Sequence, residues 1–282
     1  MRHVRFFGIL LSLLAFAAAP VAAASSPDLT TVEQQLSALV SGSSADVGIA
    51  ALDLNTGESL SIKGDTPFPM ASTVKVAIAA LYLSQVDHRQ KTLDDSIQGV
   101  PVRTLMNKML IHSDNRAADI LFKDVGGPSA VHHWLVQNDI QGVRVDRTIA
   151  QLLADKRDLW DRRDSSTPKA MVELLRRIYK GQLISVESRN YLLGVMAKCQ
   201  TGKNRMKSLL PEGTVAHKTG TLNGLSDDVG FITMPDGHRI IVAIFARGGS
   251  NRPQTIAEAA RTIYDGFKSV FTWPYRPALT AQ

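Results

Sequence analysis

The segments with strand character lie near the two ends of this chain, and almost everything between them has helical periodicity. Residues 47–54 and 58–63 are apolar runs around the turn Asn55-Thr56-Gly57, which predicts a β-hairpin. Three further strands are expected late in the chain, at Val215–Leu222, Val229–Thr233 and Ile240–Ala246, the last two joined through Pro235-Asp236-Gly237. Strands from both ends favour one antiparallel sheet interrupted by a helical insertion.

Helical periodicity marks what covers this sheet. A helix is expected after Thr167, with Pro168 in its first turn, and another spans Ile256 to Phe267 with an apolar face suited to a sheet. We therefore predict an α/β (α+β) fold with a five-stranded antiparallel sheet flanked by helices and an all-helical insertion domain. The expected sheet domain is discontinuous, residues 25–65 and 200–282, and residues 66–199 form the helical domain, with a cleft between them.

The helix that starts at Ser72 is apolar on every side over residues 74–83, so it is expected to be buried. Its amino terminus must then surface in the cleft, where free N–H groups and the helix dipole favour negative charge. Lys75 lies three residues after Ser72, on the same helix face, and can take the hydroxyl proton. The strings Ser113-Asp114-Asn115 and Lys218-Thr219-Gly220 follow in that order, and the combination indicates an acyl-serine enzyme.

Acyl transfer needs a nucleophile, a base, an oxyanion site and a proton donor for the leaving group. Ser72 is the candidate nucleophile. Lys75 is the candidate base, because apolar neighbours and a second cation disfavour its ammonium form. The backbone N–H groups of Ser72 and Thr221 are the candidate oxyanion hole, and Ser113 is the expected proton relay.

The remaining motif residues are candidates for substrate binding. Asn115 is expected to hold the substrate amide and Lys75, while Lys218 and Thr219 offer a cation and a hydroxyl to a carboxylate. Gly220 leaves an open strand edge for a peptide-like substrate. Two simpler interpretations stay open: the Ser-Asp-Asn string caps the next helix, and the lysine is a solvated strand residue.

Three other side chains are near the motifs or chemically reactive, but the sequence assigns them no firm role. His112 and His217 adjoin the motifs, but proximity in sequence does not place either ring in the cleft. The single cysteine, Cys199, cannot form an internal disulfide, and a buried, tolerated thiol is favoured over a reactive one. No cluster of His, Cys, Asp and Glu has metal-ligand spacing, so we predict no metal and no cofactor.

The amino terminus predicts export. Arg2 and Arg5 precede an apolar run over residues 6–19 and the small residues Ala22-Ala23-Ala24, which is typical of a secretory signal peptide over residues 1–24, with an uncleaved anchor as the alternative. Cleavage leaves 30 basic against 26 acidic side chains, a net charge of +4. We expect a periplasmic or secreted monomer without a membrane span that binds anionic wall polymer or a carboxylate ligand, and no nucleic acid.

With these motifs, the chain resembles class A β-lactamases and related penicillin-binding serine hydrolases over nearly its whole mature length. Further landmarks of the resemblance are Phe68-Pro69-Met70-Ala71, Gly126-Gly127-Pro128, Thr201-Gly202 and Leu210-Pro211. The resemblance implies that Arg205 is a second cation beside Lys218, and that Asp114 is structural.

One departure from the family pattern concerns water activation. In class A lactamases an Asp-Arg pair is followed, two residues after the arginine, by a glutamate that activates the deacylating water. Here Asp146-Arg147 precedes Thr148 and Ile149, and Leu153 replaces an asparagine that helps to hold the water. Apolar side chains cannot orient or deprotonate water. The loop ends at Asp164, the expected ion-pair partner of Arg147, and the acids left as replacement bases are Asp155, Asp158 and Asp161.

The other departure is a shortened stretch between Lys75 and Ser113, which implies a more open groove. Both departures resemble small penicillin-binding DD-peptidases of cyanobacteria that lack the glutamate. We therefore predict a serine hydrolase acylated at Ser72 by D-Ala-D-Ala peptides of peptidoglycan and by β-lactams, acting as a DD-peptidase with slow β-lactam deacylation. The alternatives are a class A β-lactamase with an unorthodox base and a non-catalytic protein that binds cell-wall fragments.

Overall fold

The structure, a computed structural model, describes residues 27–156 and 158–272, so the predicted signal peptide lies outside the described residues. In chain order the strands are β1 (Asp46–Asp53), β2 (Ser59–Ile62), β3 (Phe68–Pro69), β4 (Ser96–Ile97), β5 (Val100–Pro101), β6 (Ser165–Ser166), β7 (Val215–Leu222), β8 (Leu225–Thr233) and β9 (Arg239–Arg247). The α-helices are α1 (Pro27–Gly42), α2 (Lys75–Asp87), α3 (Val102–Ile111), α4 (Asn115–Asp124), α5 (Gly127–Gln137), α6 (Ile149–Ala154), α7 (Pro168–Tyr179), α8 (Val186–Ala197) and α9 (Arg252–Thr272). Short 3₁₀ helices span Ala71–Val74 and Met206–Leu209.

The main sheet of the described chain has five antiparallel strands in the order β2-β1-β9-β8-β7. Strand β1 therefore lies between its hairpin partner β2 and the last strand of the chain, which confirms a sheet assembled from both ends. The predicted hairpin and the strand at Val215–Leu222 are confirmed. Strand β8 starts at Leu225, four residues earlier than predicted, because residues 225–228 pair with both neighbouring strands.

Each face of the sheet packs on its own helices. Helices α1 and α9 cover one face, where Leu36, Ile263 and Phe267 are fully buried against the apolar strand residues. The other face packs on α7 and the helical insertion, and its core includes the stacked rings of Phe68 and Phe245, 6.1 Å apart. Side chains alternate between the two faces of each strand, so the sheet separates two apolar cores.

Helix α2 runs through the middle of the insertion and packs on α3, α4, α5 and α8. Residues 75–84 are all buried, as predicted from their apolar surroundings. The α-helix itself begins at Lys75, and Ser72 belongs to the preceding 3₁₀ helix rather than to the first turn of α2. None of the described helices combines the length and the apolar character needed to cross a bilayer. The boundaries after residues 65 and 199 remain a prediction.

Candidate active site

Strand β7 runs beside the 3₁₀ helix that carries Ser72. A Cβ atom on Gly220 would lie 2.7 Å from the carbonyl oxygen of Met70 and 3.2 Å from the Cβ of Ala71. Only glycine allows this approach of two backbones. Ala71 adopts a left-handed conformation with a φ of 44°, and Ser72 is half-buried. The turn that carries Ser72 is thereby held next to the edge of the sheet.

The ammonium of Lys75 is fully buried and connects two predicted motifs. Its Nζ donates to the Ser113 carbonyl at 2.7 Å, to Asn115 Oδ1 at 2.7 Å and to Ser113 Oγ at 3.3 Å. Burial, reinforced by the positive charge of Lys218, lowers the pKa of Lys75 to about 7. A neutral amine is therefore accessible near neutral pH, as a general base requires. Ser72 Oγ itself makes no hydrogen bond with the described residues, and such contacts tighten when substrate binds.

Ser113 lies between two cations. Its Oγ accepts a 2.9 Å hydrogen bond from Lys218 Nζ in addition to the contact with Lys75. Burial, together with the charge of Arg205, lowers the pKa of Lys218 to about 8. The neighbouring Asp114 caps α4 by accepting from the Ala117 N–H at 2.6 Å, so the structural role considered for this motif is present, while Ser113 and Asn115 contact Lys75.

The edge of β7 is held in place from behind. Arg205 is buried and donates to the Gly220 carbonyl at 2.7 Å and to Thr221 Oγ1 at 2.7 Å. Thr219 Oγ1 lies 2.6 Å from Thr201 Oγ1. The structure thus brings together all the residues predicted for the site, with Thr221 and Asn115 exposed at its rim. Among the described residues, no three His, Cys, Asp or Glu side chains are grouped to hold a metal ion.

Residues 31–267 match a family model described as the β-lactamase enzyme family. The chain belongs to this β-lactamase family. It is 33% identical over 267 residues, 83% of this chain and 86% of the relative, to the extended-spectrum β-lactamase PER-1 of Pseudomonas aeruginosa. It is 26% identical to the carbapenem-hydrolysing β-lactamase KPC of Klebsiella oxytoca, covering 92% of this chain and 96% of that protein.

Solved structures of β-lactamases share the fold. The crystal structure of the TLA-3 extended-spectrum β-lactamase aligns with a TM-score of 0.78 at 26% identity, covering 85% of this chain and 99% of the other. A β-lactamase structure from Chitinophaga pinensis aligns equally well, with a TM-score of 0.78 and 27% identity, over 84% of this chain and 99% of the other. This β-lactamase family member is accordingly a serine hydrolase with the class A fold.

The loop between Asp146 and Asp164 is built around Arg147, which is held by three carboxylates. Its guanidinium contacts Asp164 at 2.6 Å, Asp155 at 2.7 Å and Asp161 at 3.2 Å. The predicted pair of Arg147 and Asp164 is confirmed. Asp155 and Asp161 are also close to Arg163, so two of the three acids considered as replacement bases are engaged with arginines.

The position expected for the water-activating acid is apolar and buried. Ile149 is only 4% exposed, and its N–H donates to Asp119 Oδ1 at 2.7 Å, while the Ala150 N–H donates to Asp119 Oδ2 at 2.9 Å. Leu153 is instead 49% exposed. Asp119 was not identified from the sequence as a functional candidate. Its carboxylate fixes the start of α6 rather than facing open solvent.

Two buried aspartates behind β7 were also missed. Asp227 lies so close to Gly220 that a Cβ there would be 2.7 Å from Asp227 Oδ2, and burial raises the pKa of Asp227 well above its usual value. Asp228 accepts from His217 Nδ1 at 2.7 Å. Two consecutive acids in an otherwise apolar strand were the available signal. His217 points into this buried cluster, whereas His112 is exposed at the end of α3.

Proposed function

We propose that this β-lactamase family member is a penicillin-recognising acyl-serine hydrolase, acylated at Ser72 by β-lactams and D-Ala-D-Ala peptides. Neutral Lys75 takes the proton of the Ser72 hydroxyl as the oxygen attacks the substrate carbonyl. The oxyanion forms between the backbone N–H groups of Ser72 and Thr221. Ser113 passes a proton to the departing nitrogen, while Lys218 and Thr219 bind the substrate carboxylate.

The buried cations support the acylation half of this proposal. Lys75 and Lys218 both approach Ser113 Oγ, at 3.3 and 2.9 Å, so one hydroxyl can take a proton from either amine. Their mutual repulsion and burial favour the neutral form of one amine. Such a pair can accept the nucleophile's proton and return it to the leaving group without a separate base.

The observation that carries the proposal is the apolar, 4% exposed Ile149 at the position of the missing acid. Hydrolysis of the ester at Ser72 needs a base within hydrogen-bonding distance of its water. Asp155 and Asp161 are engaged with Arg147, and Asp158 accepts from the Trp160 N–H. In this proposal none of the three is positioned over the ester, so the water near it lacks an efficient base. The β-lactam adduct, whose expelled nitrogen stays attached to the acyl group and blocks the ester, is therefore long-lived. A peptide loses its leaving amine from the cleft, which makes room for a water molecule that gives its proton to Lys75 or Ser113 as it attacks, so the enzyme acts as a DD-peptidase rather than as an efficient β-lactamase.

The position of the shortened segment supports a peptide substrate. Residues 88–101 pack at the far end of α2, where the Tyr82 hydroxyl donates to the Thr92 carbonyl at 3.2 Å and Lys91 pairs with Asp124. Helix α2 has 13 residues, so this contact lies well away from its catalytic end at Lys75. Because the segment packs there, we infer that it does not form a wall of the groove beside Ser72. A groove that is open on this side suits a polymer-attached stem peptide in a periplasmic or secreted setting.

A second candidate is a β-lactamase in which Asp158 activates the water. Asp158 lines a small cavity of about 20 Å³ together with Ala71 and Leu222, close to the Ser72 turn. Its Oδ1 accepts from the Trp160 N–H at 2.8 Å, which leaves its other oxygen for a water molecule. The relatives named extended-spectrum and carbapenem-hydrolysing β-lactamases favour this candidate.

Intact-protein mass spectrometry separates the two. The purified protein is mixed with a penicillin or a D-Ala-D-Ala peptide, and the adduct on Ser72 is followed with time, with Ser72→Ala as the unlabelled control. A penicillin adduct that persists while the peptide turns over supports the DD-peptidase. Rapid loss of the penicillin adduct that Asp158→Asn abolishes supports the β-lactamase. No adduct with either compound, together with measurable peptide binding, overturns both in favour of a non-catalytic wall-binding protein.

A further inference from the structure

A line of three polar side chains runs from Cys199 to the substrate-binding edge. Cys199 is 4% exposed and its Sγ lies 3.2 Å from Thr201 Oγ1. Thr201 Oγ1 in turn lies 2.6 Å from Thr219 Oγ1. Either hydroxyl of such a pair can donate, since a hydroxyl carries one proton and two lone pairs and rotates. Sγ also lies 4.0 Å from the Thr201 carbonyl oxygen, to which a protonated thiol can donate. The proton on Cys199 therefore limits which direction of donation the line can adopt.

The Cys199 end of the line is organised by a histidine and a carboxylate. His217, 1% exposed, contacts Asp228 through Nδ1 at 2.7 Å, and its Nε2 has no hydrogen bond of ordinary geometry in the described chain. Burial alone would lower the pKa of His217, but Asp228 outweighs it and raises that pKa to about 9. The Nε2–H is therefore present near neutral pH and faces the Cys199 thiol. Burial would raise the thiol pKa, but His217 lowers it to about 7.

We propose that Cys199 is a positioning residue for carboxylate recognition: acting through Thr201, its proton decides whether Thr219 Oγ1 donates or accepts in the cleft. This inference rests on the proposed function, in which Thr219 binds the substrate carboxylate. No covalent chemistry of the thiol is involved.

The two protonation states give opposite directions of donation. With the thiol protonated, Sγ can donate to Thr201 Oγ1, Thr201 then donates to Thr219, and the Thr219 proton is free for a carboxylate. A thiolate can only accept. It takes the Thr201 proton, Thr201 then accepts from Thr219, and Thr219 presents lone pairs to the anionic substrate. Loss of the thiol proton therefore weakens carboxylate binding.

Several charged groups surround Cys199. His217 and Lys218 approach from β7, and Asp228 of β8 lies behind His217, whose Nδ1 it contacts. From the 3₁₀ helix, Lys207 Nζ donates to the Cys199 carbonyl at 2.7 Å. The pKa of Lys218 is about 8, and that of the base Lys75 is about 7. An experiment must separate the thiol from both lysines.

A ratio of two acylation rates makes this separation. The rate constant for acylation of Ser72 is measured against pH for a penicillin and for its methyl ester, which lacks the carboxylate. Dividing the rate constant for the penicillin by that for the ester cancels the effect of Lys75 titration, since both acylations use Lys75 as the base. In the wild type we expect the ratio to fall about tenfold across the thiol titration near pH 7, the cost of one hydrogen bond to a charged group. A second decrease follows as Lys218 loses its proton.

Two variants isolate the thiol. Cys199→Ser keeps a proton donor at every pH, so its ratio stays high through pH 7 and falls only with Lys218. Thr201→Val breaks the line, and its ratio is low and flat across the same range. A thiolate absorbs in the ultraviolet, so the absorbance of the wild type minus that of C199S reports the Cys199 thiolate directly. The T201V variant must still show this thiolate absorbance.

The outcomes are distinguishable from failure of the proposed function. A step near pH 7 that persists unchanged in C199S, or a T201V ratio that still follows the thiolate signal, overturns the role of Cys199. If neither the penicillin nor its ester labels Ser72 in the wild type, the proposed acylation itself is wrong. Labelling that is insensitive to the carboxylate at all pH values refutes the inference while leaving the nucleophile intact.

Discussion

Replacing Ile149 by glutamate tests the deacylation argument most directly. The side chain is 4% exposed, and the N–H groups of residues 149 and 150 both donate to the Asp119 carboxylate. The substitution therefore exchanges a buried apolar group for a carboxylic acid next to an existing negative charge. Burial and the like charge both raise the pKa of the introduced acid. It becomes a base only when the pH exceeds that raised value.

The expected magnitudes follow from this environment. Burial of the isoleucine contributes about 1.5–3 kcal/mol, and each unit by which the pKa of the new acid is raised adds about 1.4 kcal/mol at pH values where it is charged. We expect I149E to lose about 3–5 kcal/mol of unfolding free energy. A positioned base contributes about 10²–10⁴ in rate. Release of the penicilloyl group from Ser72 is therefore expected to accelerate by about that factor at alkaline pH.

The assay is adduct lifetime by mass spectrometry across pH, with urea unfolding in parallel. Ile149→Gln is the matched control, because it has the same size and polarity without a titrating proton. Asp119→Asn added to I149E removes the like charge, and the acceleration should then appear at lower pH. Equal adduct lifetimes for I149E and I149Q at every pH, with both proteins folded, would refute the assignment of this position as the site of the missing base.

Three further predictions concern other parts of the site. Because the pKa of Lys75 is about 7, the rate of acylation by a carboxylate-free ester should rise with pH up to about 7 and then level off. Lys75→Arg stays protonated, so quenched-flow labelling should show acylation slower by about 10²-fold or more. Asp164→Ala removes the carboxylate closest to Arg147, whose side chain is only 10% exposed, and urea unfolding should show a loss of about 3 kcal/mol. Gly220→Ala places a Cβ 2.7 Å from the Met70 carbonyl, so β7 must move; labelling should slow at least tenfold and stability fall by about 1–3 kcal/mol.

The sequence predicts the architecture well where periodicity is strong. The hairpin at 47–54 and 58–63, the strand at Val215–Leu222 and the capped helix after Thr167 all form as expected. Apolar alternation and turn residues act locally, so they can be recognised without knowledge of the partner strand. The single sheet built from both chain ends is as predicted, whereas the specific pairing of β1 with β9 is a non-local contact that this local pattern does not contain.

Misplaced boundaries occur where tertiary contacts outweigh local pattern. Residues 226–228 are polar, and the apolar pattern predicts a strand that starts only at Val229, yet Asp227 and Asp228 are fully buried and paired on both sides. The sequence predicts Ser72 in the first turn of an α-helix, but that turn is a 3₁₀ helix, with Ala71 left-handed and packed against β7. The two consecutive acids are the local signal of the first contact, whereas the second leaves none in the neighbouring residues.

The arrangement around β7 shows why the site chemistry is harder to predict than the fold. Lys218 is fully buried, and its charge depends on Cys199, Asp228 and Arg205, which come from three different parts of the chain. A motif identifies the lysine but not the groups behind it. Since burial makes each of these charges sensitive to the others, a change at the lone cysteine alters recognition at the strand edge without touching substrate. The same motif can thus lie in front of buried groups that carry different numbers of protons. The buried residues behind the motif must therefore be known before the pH dependence of the site can be derived.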